Sequence, residues 1–431
     1  KVRVRWYKLS SDATAADWIK SLATRSPAPL AVIGGGSSDR ALDLAKAMAA
    51  QTEWKGERPL LLVTTATADE VEYGGDGAHS ELIDVYPGRS FRFCFTNKQM
   101  AEAVTDYVTQ DPRLRPGPVV WPGLRSLTAG AAGPWPAVVA ASELSADHAI
   151  KVFAIAWQDD PYSSDLSWQF RLYFQQKFGP DAPRGPHSFR SSLTVDQYEP
   201  PFSVGSHSKP NRAEAELVER VLADLPPRGE RSLLILPTVA PPARRVLRTL
   251  TEGVPLIGRR LVAVTGDGIS VNTIYRDGEF AWPVRSMPVP LVMFTHADPF
   301  GWDDAALRPP SSTDDVLHFA ELARVVAEGV FVPADLASRF AVEEGLLTKP
   351  VQLAARFGER GPRFFDAKGN RLGGEGEFVV VLRPTIRDSR SVGKTQEDAT
   401  IETYRRGAGR SWVMVKSLPI AHGKTGGRKP Q

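Results

Sequence analysis

Five places in this sequence set chemically useful residues directly behind a short apolar run. After LAVI come Gly34, Gly35, Gly36, Ser37 and Ser38. After LLLV come Thr64, Thr65, Ala66 and Thr67. VFAIAW is followed closely by Asp159, Asp160, Pro161 and Tyr162, LLILP by Thr238, and LVAVTG by Asp267. The first two places offer hydroxyls and backbone amides that glycine lets come close to a partner. Amides at the amino end of a helix carry about +0.5 charge and donate to carboxylate or phosphate oxygens. The remaining places add an aromatic ring and an acid, and Asp267 suits a cation such as an ammonium group. A carboxylate cradle facing an acid is what an α-amino acid or similar zwitterion requires. Taken singly, each residue has a plainer explanation. Glycines permit a tight turn, Ser37 or Ser38 caps a helix, and Asp267 closes an Asp-Gly turn. Taken together they share one position, the carboxyl end of a strand, where open α/β sheets bind ligands.

Other chemistries find little support. VIGGGSSDRA lacks the dinucleotide fingerprint, because Asp39 stands where the third glycine is needed. QDDPYSSD reads as a loop and helix N-cap rather than a metal-binding acid cluster. The seven histidines show no i, i+4 pairing, and no G-x-S-x-G elbow occurs. The one cysteine, Cys94, lies in FRFCFTN, where a free thiol is a small buried hydrophobe. The expectation is therefore a protein without catalytic residues, metal or cofactor.

The elements that position these residues alternate. ATAADWIKSLATR has helical spacing, PLAVIGG is a short buried strand, and SSDRALDLAKAMAA a helix. RPLLLVTTAT and SFRFCFT are strands, and NKQMAEAVTDYVTQ is a helix opened by Asn97. KVRVRWYKL alternates like an exposed strand. Residues 111–147, rich in proline and glycine, read as an inserted loop. A second series follows: AIKVFAIAW, SSDLSWQFRLYFQQKF, RAEAELVERVLADL, RSLLILPT, PPARRVLRTLTEG, RRLVAVTGDG and VPLVMFTH. STDDVLHFAELARVVAEG is a capped amphipathic helix, and RFFDAKGNRLGGEGEFVVVLRP a hairpin with Gly369 and Asn370 at its turn. Repeated βα units predict mostly parallel sheets with helices on both faces.

The chain has 431 residues, 42% hydrophobic and 24% charged, with a net charge of +3. That length suits two domains. The arginines are scattered rather than striped, which argues against nucleic acid as a partner. No apolar run reaches the ~18 residues of a membrane span.

The segments AVIGGGSSDRALDLA, LLLVTTATADE, YPGRSFRFCFTNKQMAEAVTDYV and KVFAIAWQDDPYSSDLSWQF follow one another as in the type I periplasmic solute-binding proteins. LLILPTVAPPARRVLRTL, VAVTGDG and FFDAKGNRLGGEGEFVVVL continue the order. The order resembles the branch that serves branched-chain amino acid transporters and covers most of the chain. The resemblance implies a two-lobed α/β fold, with lobe 1 at 1–146 plus 290–330 and lobe 2 at 147–289 plus 331–415; the tail at 416–431, ending in AHGKTGGRKPQ, reads as disordered from its terminal place. It implies hinge closure over a small carboxylate-bearing solute, an extracytoplasmic location, and a membrane transporter or sensor as partner. Carried over by position, Gly35, Gly36, Ser37, Ser38, Thr65, Ala66 and Thr67 hold the ligand carboxylate. Tyr162 and Thr238 come from the second lobe, and Asp267 pairs with an ammonium. The family begins one βα unit before KVRVRWYKL, so more sequence is expected upstream. The insert at 111–147, the segment AWPVRSMPVP and the extended C-terminus are additions that suit a specialised or sensory relative. An alternative is a ligand-free scaffold or sensor domain, with tryptophans in loops such as GPWPA and FGWDD marking a partner surface.

Overall fold

The structure, a computed structural model, describes residues 13–73, 78–120, 137–138, 148–157, 160–179, 191–198, 212–226, 229–253, 257–269, 289–296, 365–373, 377–384 and 399–420. The chain divides into two compact units, Lys1–Thr96 with Ala320–Leu372 and Asn97–Phe319 with Gly373–Gln431. The sequence-level division, with its first boundary at 146, groups the helix that starts at Asn97 with the first part instead.

Unit 1 opens with α1 (Ala15–Ala23). A capping box starts it: the Asp17 N–H donates to the Thr14 hydroxyl at 3.2 Å and the Thr14 N–H to the Asp17 carboxylate at 3.0 Å. Then come β1 (Ala31–Gly34), α2 (Ser38–Ala50), β2 (Leu60–Val63), β3 (Glu70–Glu72), β4 (His79–Glu81) and β5 (Ser90–Arg92). The strands β1, β2 and β5 form a parallel sheet in that order. The apolar stripe of α2, Ala41, Ala45 and Met48, buries against Leu61 and Val63 of β2, with Ile19 of α1 in the same cluster.

The expected turn at Gly369 and Asn370 is present. Its Asp366 carboxylate accepts from the N–H groups of Lys368, Gly369 and Asn370, each at 2.9 Å. A single bridge, Phe365 to Arg371, joins its arms. The strand that follows pairs elsewhere, so the segment is a tight turn rather than a hairpin. Gly369 has φ +100°, and a Cβ there would lie 2.5 Å from the Ser90 carbonyl oxygen. This close approach lets the Arg92 N–H donate to the Gly369 carbonyl at 2.8 Å and seats the turn on β5.

Unit 2 contains α3 (Asn97–Gln110), β6 (Gly117–Val120), β7 (Ala137–Val138), β8 (His148–Ile155), α4 (Pro161–Phe178), β9 (Ser191–Tyr198) and α5 (Arg212–Ala223). It continues with β10 (Glu230–Ile235), α6 (Ala240–Gly253), β11 (Leu261–Thr265), β12 (Leu291–Thr295), β13 (Phe378–Pro384), β14 (Ala399–Arg406) and β15 (Trp412–Ile420). The order β9-β8-β10-β11-β12 is parallel throughout. From β12 onward β13, β14 and β15 add antiparallel strands. Strands β11 and β12, and Leu233–Ile235 of β10, carry apolar residues on both faces, as buried parallel strands do. Their side chains form one cluster with Val218 and Val221 of α5 and Val246, Leu247 and Leu250 of α6.

Several expectations change here. The segment at 111–147 is not all loop: it contains β6, which pairs antiparallel with the start of β10 and with β7. Residues 416–420, expected to open a disordered tail, belong to β15 because β14 offers a full ladder to pair with. Strands β9 and β14 carry too few apolar residues for alternation to mark them. KVRVRWYKL, STDDVLHFAELARVVAEG and AWPVRSMPVP lie outside the described residues.

Candidate functional site

In unit 1 the carboxyl ends of β1 and β2 lie side by side, since Gly34 pairs with Val63. Gly35 turns the chain with φ +82°, and a Cβ there would stand 2.9 Å from Ala41 Cβ. Its carbonyl accepts from both the N–H and the hydroxyl of Thr65, at 3.2 and 3.1 Å. Thr65 is therefore committed to the fold. Ser38 is buried, and its Oγ accepts from the Ala68 N–H at 3.2 Å. The Ala66 carbonyl accepts from the thiol of Cys94, buried as expected. Gly36 is exposed. Two groups remain uncommitted. Ser37 is the N-cap of α2, yet its side chain makes no capping bond. The Thr67 hydroxyl is buried and has no hydrogen-bond partner.

In unit 2 the same edge of the sheet gathers Tyr162, Thr238 and Asp267. Asp160 caps α4 by accepting from the Tyr162 N–H at 3.2 Å, with Pro161 as first helical residue. Tyr162 reaches the loop after β11, where its hydroxyl accepts from the Gly268 N–H at 2.9 Å and hydrogen-bonds the Asp267 side chain. Burial, reinforced by the Asp267 charge, raises its phenol well above the ordinary value. The hydroxyl of Thr238 is fully buried and without a partner.

Asp267 already has a partner within unit 2. Its Oδ2 lies 2.7 Å from His296 Nε2, with 10% and 2% of the two side chains exposed. His296 stacks edge-on against Phe294, 5.4 Å between centroids. The result is a Tyr162–Asp267–His296 cluster at one strand edge. It can accept and donate hydrogen bonds.

Metal-ligand spacing does not single out His296, since the seven histidines share no such pattern. His296 follows β12 directly, so the strand-end rule that found Asp267 finds it too. Arg92, the last residue of β5, was missed for a different reason: an arginine in SFRFCFT reads as the exposed member of an alternating strand, whereas it is buried.

A separate depression of about 820 Å³ lies in unit 2 against β14 and β15. Glu102, Glu377, Arg405, Arg406, Arg410 and Met414 line it. None of the sequence-predicted residues is among them. Most of its charge is internal, since Arg406 pairs with Asp106 at 3.0 Å and Arg410 with Glu102 at 3.1 Å. Among the described residues no group of three acids, histidines or cysteines could hold a metal ion.

No family model matches the sequence, and no curated protein matches it. Among solved structures the chain is similar to solute-binding proteins. An ABC transporter substrate-binding protein from Desulfitobacterium hafniense in complex with Leu shares 14% identity, over 93% of this chain and 84% of that one, with TM-score 0.43. A leucine-, isoleucine-, valine-, threonine- and alanine-binding protein from Brucella ovis, in a closed conformation, shares 12% over 94% and 81%, with TM-score 0.48. A solute-binding protein of an ABC transporter from R. palustris in complex with benzoate shares 13% over 95% and 83%, with TM-score 0.44.

Proposed function

We propose that this protein binds a small carboxylate-bearing, amino-acid-like solute outside the cytoplasm, for uptake or sensing, and holds it without chemical change. The observation that carries the reading is the amino end of α2. Its N-cap side chain Ser37 makes no capping bond, so the first-turn N–H groups have no side-chain acceptor at a point of positive dipole. Gly35 brings that end beside the loop after β2, where the Thr67 hydroxyl waits without a partner. A ligand carboxylate satisfies both. The order of sequence motifs described above supports the same reading.

A thermal-shift screen of the purified protein against amino acids, simple carboxylates, sugars and nucleotides tests it. A ligand at 100 times its Kd stabilises by about 2.7 kcal/mol, which moves the midpoint by several degrees. Shifts confined to amino acids or carboxylates are expected. A cooperative melt unmoved by any of them would favour the scaffold reading. Asp267→Ala is expected to weaken a cationic or zwitterionic ligand by about 2–5 kcal/mol. Unchanged affinity would remove Asp267 from the site.

A further inference from the structure

The larger sheet of unit 2 ends on β15, and among the described residues no strand pairs with its outer side. Nine residues long, β15 carries a row of outward backbone N–H and C=O groups, a template for a further strand. Its two halves differ. Lys416 and Pro419 lie in the second half, and both residue types keep an edge from pairing. The first half, Trp412–Val415, has neither charge nor proline. Val413, Met414 and Val415 are 57%, 49% and 45% exposed, and no other three consecutive large apolar residues among the described ones are exposed. Successive strand residues point to opposite faces, so neither face of the strand is covered here. Val415 has no opposite residue, since Thr403 pairs with Lys416 and Tyr404 with Met414. Such a bulge bends the strand and sets off the apolar half from the protected one.

The uncompensated charge beside this stretch is of one sign. Arg405 of β14 stands opposite Val413 and therefore shares its face. It is exposed and makes no ion pair among the described residues. The acids nearby are already engaged, Glu102 with Arg410 at 3.1 Å and Glu377 with Arg406. Strand β15 itself holds a lysine and no acid. A second copy of this chain, which carries a net charge of +3, would bring the same Arg405 and Lys416 and no acid to the seam. Charge complementarity therefore favours an acidic partner over self-pairing.

We propose that Trp412–Val415 is a docking edge for an extended segment of another protein in which apolar residues alternate with acidic ones. The segment adds to β15 as a further strand, its main chain supplying hydrogen bonds and its alternate side chains the specificity. On the face of Val413 its acidic side chains meet the guanidinium of Arg405. On the opposite face its apolar side chains pack beside Met414. The inference concerns unit 2 alone and does not need the solute reading to hold.

The test titrates the full chain into a fluorescein-labelled peptide of alternating valine and glutamate, read by anisotropy. One control peptide carries lysine in place of glutamate, and a second has its backbone amides N-methylated so that it cannot donate to a strand. Wild type, Arg405→Glu and Val413→Asp are compared, and sedimentation velocity reads the size of each protein alone. The expected result is saturable binding of the glutamate peptide to wild type, with both control peptides at least tenfold weaker. Affinity for the glutamate peptide falls severalfold in each variant, and Arg405→Glu gains affinity for the lysine peptide. No saturable binding, equal binding of either control peptide, or unchanged affinity in both variants overturns the proposal. A concentration-dependent dimer of wild type that Val413→Asp abolishes gives this edge to a second copy and overturns it as well. Should Val413→Asp fail to fold, an unchanged affinity in Arg405→Glu, at an exposed position, overturns it.

Discussion

Tyr162 occupies a space that two glycines leave for it. A Cβ at Gly266 would meet the Tyr162 hydroxyl at 2.8 Å, and one at Gly268 would lie 2.7 Å from the Thr238 carbonyl oxygen and 3.0 Å from the tyrosine ring. Backbone cannot retreat as a side-chain tip can. Gly268→Ala is therefore expected to cost about 1–3 kcal/mol by overpacking, measured by urea denaturation. A loss near zero would mean that the loop after β11 shifts freely. At this scale the sequence was partly legible. Asp160 as a helix cap, Cys94 as a buried thiol, and the proximity of Tyr162 to Asp267 all follow from residue type and place. The claim of His296 on Asp267 and the burial of Arg92 depend on neighbours brought in by other strands.

Between α3 and the added antiparallel strands lies a buried ionic network. Asp111 pairs with Arg113 at 2.7 Å and with Arg383 at 3.4 Å, and Arg383 pairs with Glu402 at 2.9 Å. The Tyr404 hydroxyl donates to Glu402 at 2.9 Å. Burial alone would raise both carboxyls, but the hydrogen bonds and charges of Arg113 on Asp111, and of Arg383 on Glu402, hold them below the usual range. A lowered folded-state value contributes stability that is present above the ordinary carboxylate pKa of about 4 and is lost as pH falls through the lowered values. Acid unfolding followed by circular dichroism should show that loss, and Asp111→Asn should flatten it. Glu402→Ala at neutral pH leaves Arg383 buried without its main partner, and about 3–5 kcal/mol of destabilisation is expected. The elements themselves divide by composition. Apolar runs such as LLLV and LVAVT announce strands whatever their neighbours, while SSLTVDQY and ATIETYRR become strands because β8 and β13 offer them a ladder.

The two units keep separate cores, one built on β2 and α2 and the other on β10, β11 and β12. Leu61→Ala and Leu234→Ala, each fully buried, should cost about 2–5 kcal/mol apiece. Hydrogen exchange should assign each loss to its own unit, and a loss of protection spread evenly over both would contradict separate cores. The division into two α/β units with parallel sheets was legible from the repeated βα rhythm. The antiparallel extension through β15 was not, because β13 reads as a hairpin arm and the end of β15 as the start of a tail. The chain passes through both units twice, and this has a consequence for biosynthesis. Arg92 must wait for Gly369 to receive the carbonyl that seals β5, and β12 must wait for β13 to gain its second neighbour. Neither unit can finish folding as its first segment leaves the ribosome. Each holds an unfinished sheet edge until the last part of the chain is made, so a truncated or stalled product should be captured by chaperones or proteases with both units incomplete.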